Sequence, residues 1–290
     1  MPDIDISIIV LSYQSQMHLE VLLPSIEESA KGLSVETIIV DNGSTDGSKE
    51  WLKQQMDKGA NFKLISLADN LGFSKGNNLG IKEAKGRYIL LLNPDTKLSP
   101  DTLQTMTGFM DNHPEVGAGG CKLVKPDGKL DLACRRRFPN PVNSFKRLFL
   151  TDNKDYNYTD IDDNQSMEVD SVVGAFMFIR REATEKIGLL DEKFFMYGED
   201  LDWCWRCKEA GYKVWYLPET TVLHYKGESS KKVSFKALFW FHEAMWIFYK
   251  KHYSPKYFFI FNWIVWLGIY LRLLTLSTVN IFRRKKFVSR

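Results

Sequence analysis

Through its first hundred residues the chain alternates short apolar runs with amphipathic stretches. Ile6-Ser7-Ile8-Ile9-Val10-Leu11 is β-branched and bounded by polar residues, which predicts a buried strand. From His18 to Ser29, Leu19, Leu22, Leu23 and Ile26 recur at helical spacing, predicting a helix. Thr37-Ile38-Ile39-Val40 repeats the strand pattern, the polar turn Asp41 to Ser48 follows, and a helix is expected from near Lys49. Strand, crossover helix and strand make a right-handed unit with parallel strands. Lys63 to Leu67 predicts a third strand, Leu79, Ile81 and Ala84 a helix, and Arg87 to Leu92 a further strand. The expected fold class is α/β, a Rossmann-like, mostly parallel sheet flanked by helices.

The run Leu90-Leu91-Leu92 stops at Asn93-Pro94-Asp95. Proline cannot donate to a ladder, so pairing ends there. In an open α/β sheet ligands bind beyond the carboxyl ends of strands, where Asp95 is expected. A carboxylate there suits Mg²⁺ or Mn²⁺, which take oxygen donors and bridge to phosphates; it could equally cap a helix starting near Pro100. Asp41 and Asn42 end the second strand, where a base or ribose could be read, although Asp-Asn-Gly-Ser is also a good turn and helix cap. The dinucleotide fingerprint G-x-G-x-x-G is missing after the first strand, where Ser12-Tyr13-Gln14 stand instead, which argues against hydride transfer. Asn70-Leu71-Gly72-Phe73 to Asn78 places glycines and amides at a helix start, allowing close approach of an anion to backbone N–H groups.

Beyond residue 115 the pattern shortens. Strands are expected over Gly117 to Val124 and Lys129 to Ala133 around a turn at Pro126-Asp127-Gly128, and again over Val169 to Arg180. Gly174-Ala175 within the last stretch suggests close packing. Arg135-Arg136-Arg137 could clamp a diphosphate or form a solvated run. Thr151 to Gln165 is acidic and aperiodic, a loop and a possible lid. Glu199, Asp200 and Asp202 open a helix ending at Gly211. Acidic residues there suit the helix dipole, yet three carboxylates in four residues repel, which raises a pKa and suits one of them to deprotonating a hydroxyl. Val214 to Leu217 and Val222 to Tyr225 close the series, the second around an isolated His224.

Composition narrows the function. With 290 residues, 44% hydrophobic and 26% charged, the chain suits one large α/β domain and an appendage. A net charge of +3 does not indicate a nucleic-acid binder. Four cysteines are too few for a disulfide scaffold, and Cys204-x-x-Cys207, flanked by Trp203 and Trp205, reads as a packed helix with reduced thiols. Met1 to Asp5 lacks the basic and apolar regions of a signal peptide.

Taken in order, Ile8 to Tyr13, Val40 to Asp46, Asn70 to Asn78, Asn93-Pro94-Asp95, Gly198-Glu199-Asp200-x-Asp202 and His224 resemble a family 2 glycosyltransferase with the GT-A fold over residues 5 to 230. Asn-Pro-Asp, Arg-Arg-Phe-Pro and Gly-Glu-Asp-x-Asp most resemble bacterial rhamnosyltransferases. The resemblance implies an inverting transfer from a nucleotide-diphosphate sugar. Asp200 would be the base, with Glu199 and Asp202 shaping the site. Ser12, Asp41, Asn42, Asn70, Gly72, Asn78 and Asn93 would face the donor. Asp95 and His224 would hold Mg²⁺ or Mn²⁺, and Arg136, Arg137, Asp202 and Trp203 would meet acceptor or diphosphate. The family more often has aspartate where Asn93 stands, so Asp95 is expected to be the single carboxylate on the ion.

The catalytic domain is expected over residues 1 to 230 and an aromatic, apolar extension over 231 to 290. Tyr257 to Phe282 carries one charge, Arg272, ahead of Arg283-Arg284-Lys285-Lys286. The length permits a crossing, but a single crossing would put that basic block opposite the catalytic domain, against the positive-inside tendency. Peripheral or monotopic attachment at the cytoplasmic face, through an interfacial or re-entrant hairpin, is therefore expected ahead of a single pass. A membrane-bound transferase implies a lipid-linked saccharide acceptor.

Overall fold

The computed structural model describes residues 4–144, 154–225 and 235–282. Its first half is β1 (Ile6–Ser12), α1 (Gln16–Ser29), β2 (Val35–Asp41), α2 (Ser48–Asp57), β3 (Lys63–Ser66), α3 (Phe73–Glu83) and β4 (Tyr88–Leu92). β1 lies between β2 and β4, β3 lies outside β2, and all four strands are parallel. Ile8, Ile9, Val10, Ile38, Ile39 and Leu90 are fully buried, as parallel strands covered on both faces require. α3 lies so close to β1 that a Cβ at Gly76 would come 2.3 Å from a Leu11 methyl.

The second half comprises β5 (Thr96–Lys97), α4 (Thr102–Asn112), β6 (Val116–Val124), α5 (Lys154–Asn157), β7 (Met167–Val169), β8 (Phe176–Arg180), α6 (Arg181–Ile187), α7 (Glu199–Glu209) and β9 (Lys213–His224). The sheet order is β3-β2-β1-β4-β8-β6-β9-β5, with β7 also on β9. β8 runs antiparallel to β4 and β6, whereas β6 and β9 are parallel. The sheet is thus mixed, with its parallel strands concentrated in the first half.

Several local expectations change. Thr96–Lys97, just past the Asn93-Pro94-Asp95 stop where no strand is expected, pairs with the end of β9. The two closing strands are one, with a register shift where Pro218 interrupts the ladder. Val169 to Arg180 is split by a loop containing Gly174 and Ala175. Lys129 to Ala133 makes only an isolated bridge, Val124 to Leu130, before a 3-10 turn at Leu132–Cys134. Residues 154–165, within the expected lid, are pinned by Arg135: its guanidinium donates to the carbonyls of Tyr158, Ile161 and Asp162. All four cysteines are free and buried.

α8 (Phe235–His252) and α9 (Phe259–Phe282) follow. The expected domain boundary at 230/231 lies outside the described residues, but α8 packs on the catalytic unit: Ala244 and Phe248 form one buried cluster with Phe194 and Leu201. α9 is one continuous helix, so Tyr257 to Phe282 contains no hairpin. Its Phe259–Ile281 stretch is, among the described residues, the one helix long and apolar enough to cross a membrane, and almost none of it is buried. It meets α8 through Tyr249 Oη donating to Asn262 Oδ1 at 2.6 Å and through Arg272 Nη1 beside His242 Nε2 at 2.8 Å. The basic block 283–286 lies outside the described residues.

Candidate active site

The carboxyl ends of β1, β2 and β4 and the loops after them carry the first group of residues. Ser12, at the end of β1, shares a hydrogen bond with Ser15 at 2.9 Å and is buried. Asp41, at the end of β2, accepts from Ser44 N at 3.3 Å through Oδ2, while its buried Oδ1 has no partner. An unpaired buried carboxylate oxygen is costly unless something supplies a donor, so Asp41 suits a ligand N–H or O–H.

Asn42 is differently placed from the expected base-reading role. Its Oδ1 accepts from Leu71 N at 2.9 Å, and its Nδ2 donates to Asn70 Oδ1 and Gly72 O. Asn70 Oδ1 also accepts from Gly72 N at 2.9 Å. The Asn42 amide and the Asn70 carbonyl oxygen build the loop at the start of α3. Gly72 has φ +87°, and a Cβ there would come 2.6 Å from Phe195 O, so only glycine fits. Asn78 is likewise occupied away from the loop: it bonds Leu190 N and O and Glu192.

Asp95 sits in the turn after β4. Its Oδ1 lies 3.5 Å from His224 Nε2, and His224 Nδ1 bonds Asp131 Oδ2 at 2.9 Å. Thr96 pairs in register with His224, and Tyr225 N donates to Asp95 O at 2.8 Å, so short backbone pairing sets the approach. Burial opposes charging the His224 ring, but its bonds to Asp131 and Asp95 outweigh this and push its pKa up to about 9. Burial also raises Asp95, yet the His224 contact leaves it below the usual range.

This donor set fits a divalent ion. One carboxylate and one imidazole, whose other nitrogen is held by a second carboxylate, form a supported pair and leave positions for phosphate oxygens and water. Metal binding would have to displace the His224 proton. Among the described residues no group of three or more His, Cys, Asp or Glu could hold an ion by itself. Asp131 was missed in the sequence, where it reads as one polar position of the short strand expected over Lys129 to Ala133.

Asp200 opens α7. Its Oδ2 accepts from Arg136 Nη2 at 2.8 Å and from Gly174 N at 2.9 Å, and its Oδ1 from Leu201 N at 2.7 Å. Arg136 also donates to Val172 O and is buried, so it orients a carboxylate instead of forming a solvated run. Ala175, next to Gly174, accepts from Asn93 N at 3.0 Å. Two adjacent residues therefore tether the Asp200 side chain and the Asn93-Pro94-Asp95 turn. Arg137 lies over the Tyr158 ring at 4.0 Å.

Glu199 is buried, and its Oε2 has no partner. Burial and then repulsion from Asp200 push its pKa up to about 8. Asp202 and Trp203 do not meet the expectation of ligand contact. Trp203 is a core residue donating to Gly188 O at 3.0 Å. Asp202, fully buried, accepts from Arg206 at 2.9 Å, His252 at 2.8 Å and Lys251 at 2.7 Å. Burial raises its pKa, but the bonds from His252 and Lys251 dominate and hold it at about 2.

A mixed α/β sheet with acidic residues at the carboxyl edge of its parallel half, facing an acidic helix start, is the arrangement of a GT-A glycosyltransferase. The profile described as "Glycosyl transferase family 2" matches residues 7–188, and the chain belongs to that family. Among characterised relatives, the N-acetylglucosaminyl-diphospho-decaprenol L-rhamnosyltransferase of Mycobacterium tuberculosis is 26% identical over 96% of this chain and 95% of its own length. Rhamnosyltransferase WbbL of Escherichia coli is 27% identical over 80% and 88%. The mannosyltransferase PcManGT of Pyrobaculum calidifontis, solved with GDP-Man and Mn²⁺, shares the fold at TM-score 0.60 and 18% identity, covering 97% of this chain and 77% of that one. Staphylococcus aureus TarS superposes at TM-score 0.59 and 17% identity, with 97% of this chain covering 46% of the TarS chain.

Proposed function

We propose that this glycosyltransferase moves L-rhamnose, with inversion, from dTDP-rhamnose to a hydroxyl of a lipid-linked saccharide at the cytoplasmic face of the membrane. The observation that carries the reading is the tethering of Asp200 and the Asn93-Pro94-Asp95 turn to adjacent residues, Gly174 and Ala175. A single displacement needs one base and a stabilised leaving group, with no second nucleophilic carboxylate. Asp200 takes the acceptor proton as the hydroxyl oxygen bonds to the anomeric carbon and the bond to the diphosphate breaks. Arg136 and Gly174 N bond its Oδ2 and aim it. Asp41 offers its unpartnered oxygen to the nucleoside.

Asp95 and His224 would hold Mg²⁺ or Mn²⁺, which supplies positive charge to the departing diphosphate when bound. The near full-length match to the mycobacterial rhamnosyltransferase supports both the sugar and an N-acetylglucosaminyl-diphospho-lipid acceptor. α9, at 1.5 Å per residue about 36 Å long, supports insertion into the bilayer.

The test is turnover of dTDP-rhamnose against UDP-glucose, UDP-galactose and UDP-N-acetylhexosamines, using a GlcNAc-diphospho-polyprenol acceptor, with and without Mn²⁺. Product from dTDP-rhamnose alone, lost on chelation, is expected. Product from a UDP-sugar alone would replace the donor assignment.

A further inference from the structure

Between the donor loop and α7 runs Phe194 to Gly198, a segment that neither the donor nor the leaving group requires. Phe195 O accepts from Phe73 N at 2.6 Å, fastening it to the start of α3. From the other side α8 supports it at three points. The Phe195 and Trp240 rings stack at 4.2 Å, Phe194 is buried with Ala244 and Phe248, and Tyr197 meets Phe241 edge-on at 5.8 Å.

Tyr197 is the odd member of this segment. It adopts φ +73° and remains 37% exposed. A bulky residue in the left-handed region is uncommon and persists where surrounding contacts hold it. Two residues on, the buried Glu199 carboxylate keeps Oε2 without a partner. Burial and then repulsion from Glu199 raise the Tyr197 phenol. A partly exposed aromatic ring three residues before the proposed base Asp200 matches a pyranose, which has one C–H face to lay on a ring and a hydroxyl to present to that base.

We propose that Tyr197 is the platform on which the acceptor's terminal sugar stacks and that Phe241 is a positioning residue holding the ring. The inference rests on the transferase reading and deepens it by assigning the acceptor side. It makes α8 part of the site, so the helix next to the apolar α9 also lines the place where a lipid-linked sugar is received.

The test compares wild type with Tyr197→Ala, Tyr197→Phe and Phe241→Ala, using GlcNAc-diphospho-polyprenol in detergent as the probe. Three quantities are read: acceptor affinity by calorimetry, acceptor and donor KM, and hydrolysis of donor without acceptor. Tyr197→Ala is expected to weaken acceptor binding and raise acceptor KM about tenfold. Donor KM and donor hydrolysis should stay within about twofold, because those steps do not touch Tyr197. Tyr197→Phe keeps the ring and should restore wild-type values. Phe241→Ala, which leaves Tyr197 in place, should raise acceptor KM by a smaller factor and serves if the Tyr197 variant fails to fold. Unchanged acceptor KM in both alanine variants, or an equal rise in donor KM, overturns the inference. Tyr197-dependent binding without turnover would remove the proposed reaction and leave the sugar platform standing; no binding by wild type removes both.

Discussion

The two halves of the sheet hold their functional side chains in different ways. On the β1–β4 side the loops are knotted by many short-range hydrogen bonds: Leu71 N to Asn42, Gly72 N to Asn70, and Ser48 Oγ accepting from Ser15 N at 3.1 Å and donating to Asp46 Oδ1 at 2.5 Å. On the β6–β9 side the work is done by a few buried charges, Arg136 with Asp200, His224 with Asp131, and Asp202 with Arg206 and Lys251. A parallel sheet already brings its strand ends to one edge, so short-range bonds suffice there. In the mixed half α7, β9 and α8 arrive from distant parts of the chain, and charge fixes their meeting. The donor side should therefore fail by small increments and the acceptor side by large ones.

The largest expected effect is on chemistry. Asp200→Asn removes the proposed base while keeping an acceptor for Gly174 N, and should lower kcat about 10²–10⁴-fold. Donor binding, followed by calorimetry, should persist; its loss would mean that Asp200 serves the donor side. Next, Arg136→Met leaves Asp200 buried without its cation, and breaking such a pair costs about 3–5 kcal/mol. Denaturant unfolding measures it, and a loss below about 1 kcal/mol, the scale of an exposed pair, would erase the contrast between the halves.

Asp202→Asn should cost about 2 kcal/mol at neutral pH, since a carboxylate at about 2 in the fold lies well below its ordinary 3.8. A depressed carboxylate stabilises fully above the unfolded value and loses that contribution as pH falls through the folded one. The stability difference between wild type and variant should therefore close between pH 4 and pH 2, and a difference that persists at pH 2 would point to packing instead of charge. The smallest effect belongs to the donor side: Ser48→Ala should cost about 1 kcal/mol, the scale of a hydrogen bond from Ser15 N and a solvent-screened one to the exposed Asp46 carboxylate, as read by the thermal midpoint.

Legibility in the sequence followed the same division. Strands β1, β2 and β4 and helices α1 and α3 were visible because covered parallel strands are continuous apolar runs and the helices keep their period. The turn at Asn93-Pro94-Asp95 announced itself through proline. Thr96–Lys97 gave no strand signal because two residues have no period; only its pairing with β9 defines it. Arg136 was visible as a cation but not as the partner of Asp200, since nothing local encodes a contact across 64 residues. Asn42 and Asn78 looked like ligand amides, yet an amide serves equally well as a loop tie. The place of α8 beside Tyr197 was hidden because aromatic helices bury against protein and membrane with similar composition.

The short pairing of Thr96 with His224 also has a temporal side. Chains fold as they leave the ribosome, amino-terminal parts first. β1 to β4 can assemble, with the Asp41 cradle at their edge, while β9 is still being translated. The corner containing Asp95 closes only when His224 emerges and Asp131 is there to meet it. A nascent or prematurely ended chain would thus carry the proposed nucleotide cradle without the proposed cation corner, and the full site is born late, as the last strands of the sheet arrive.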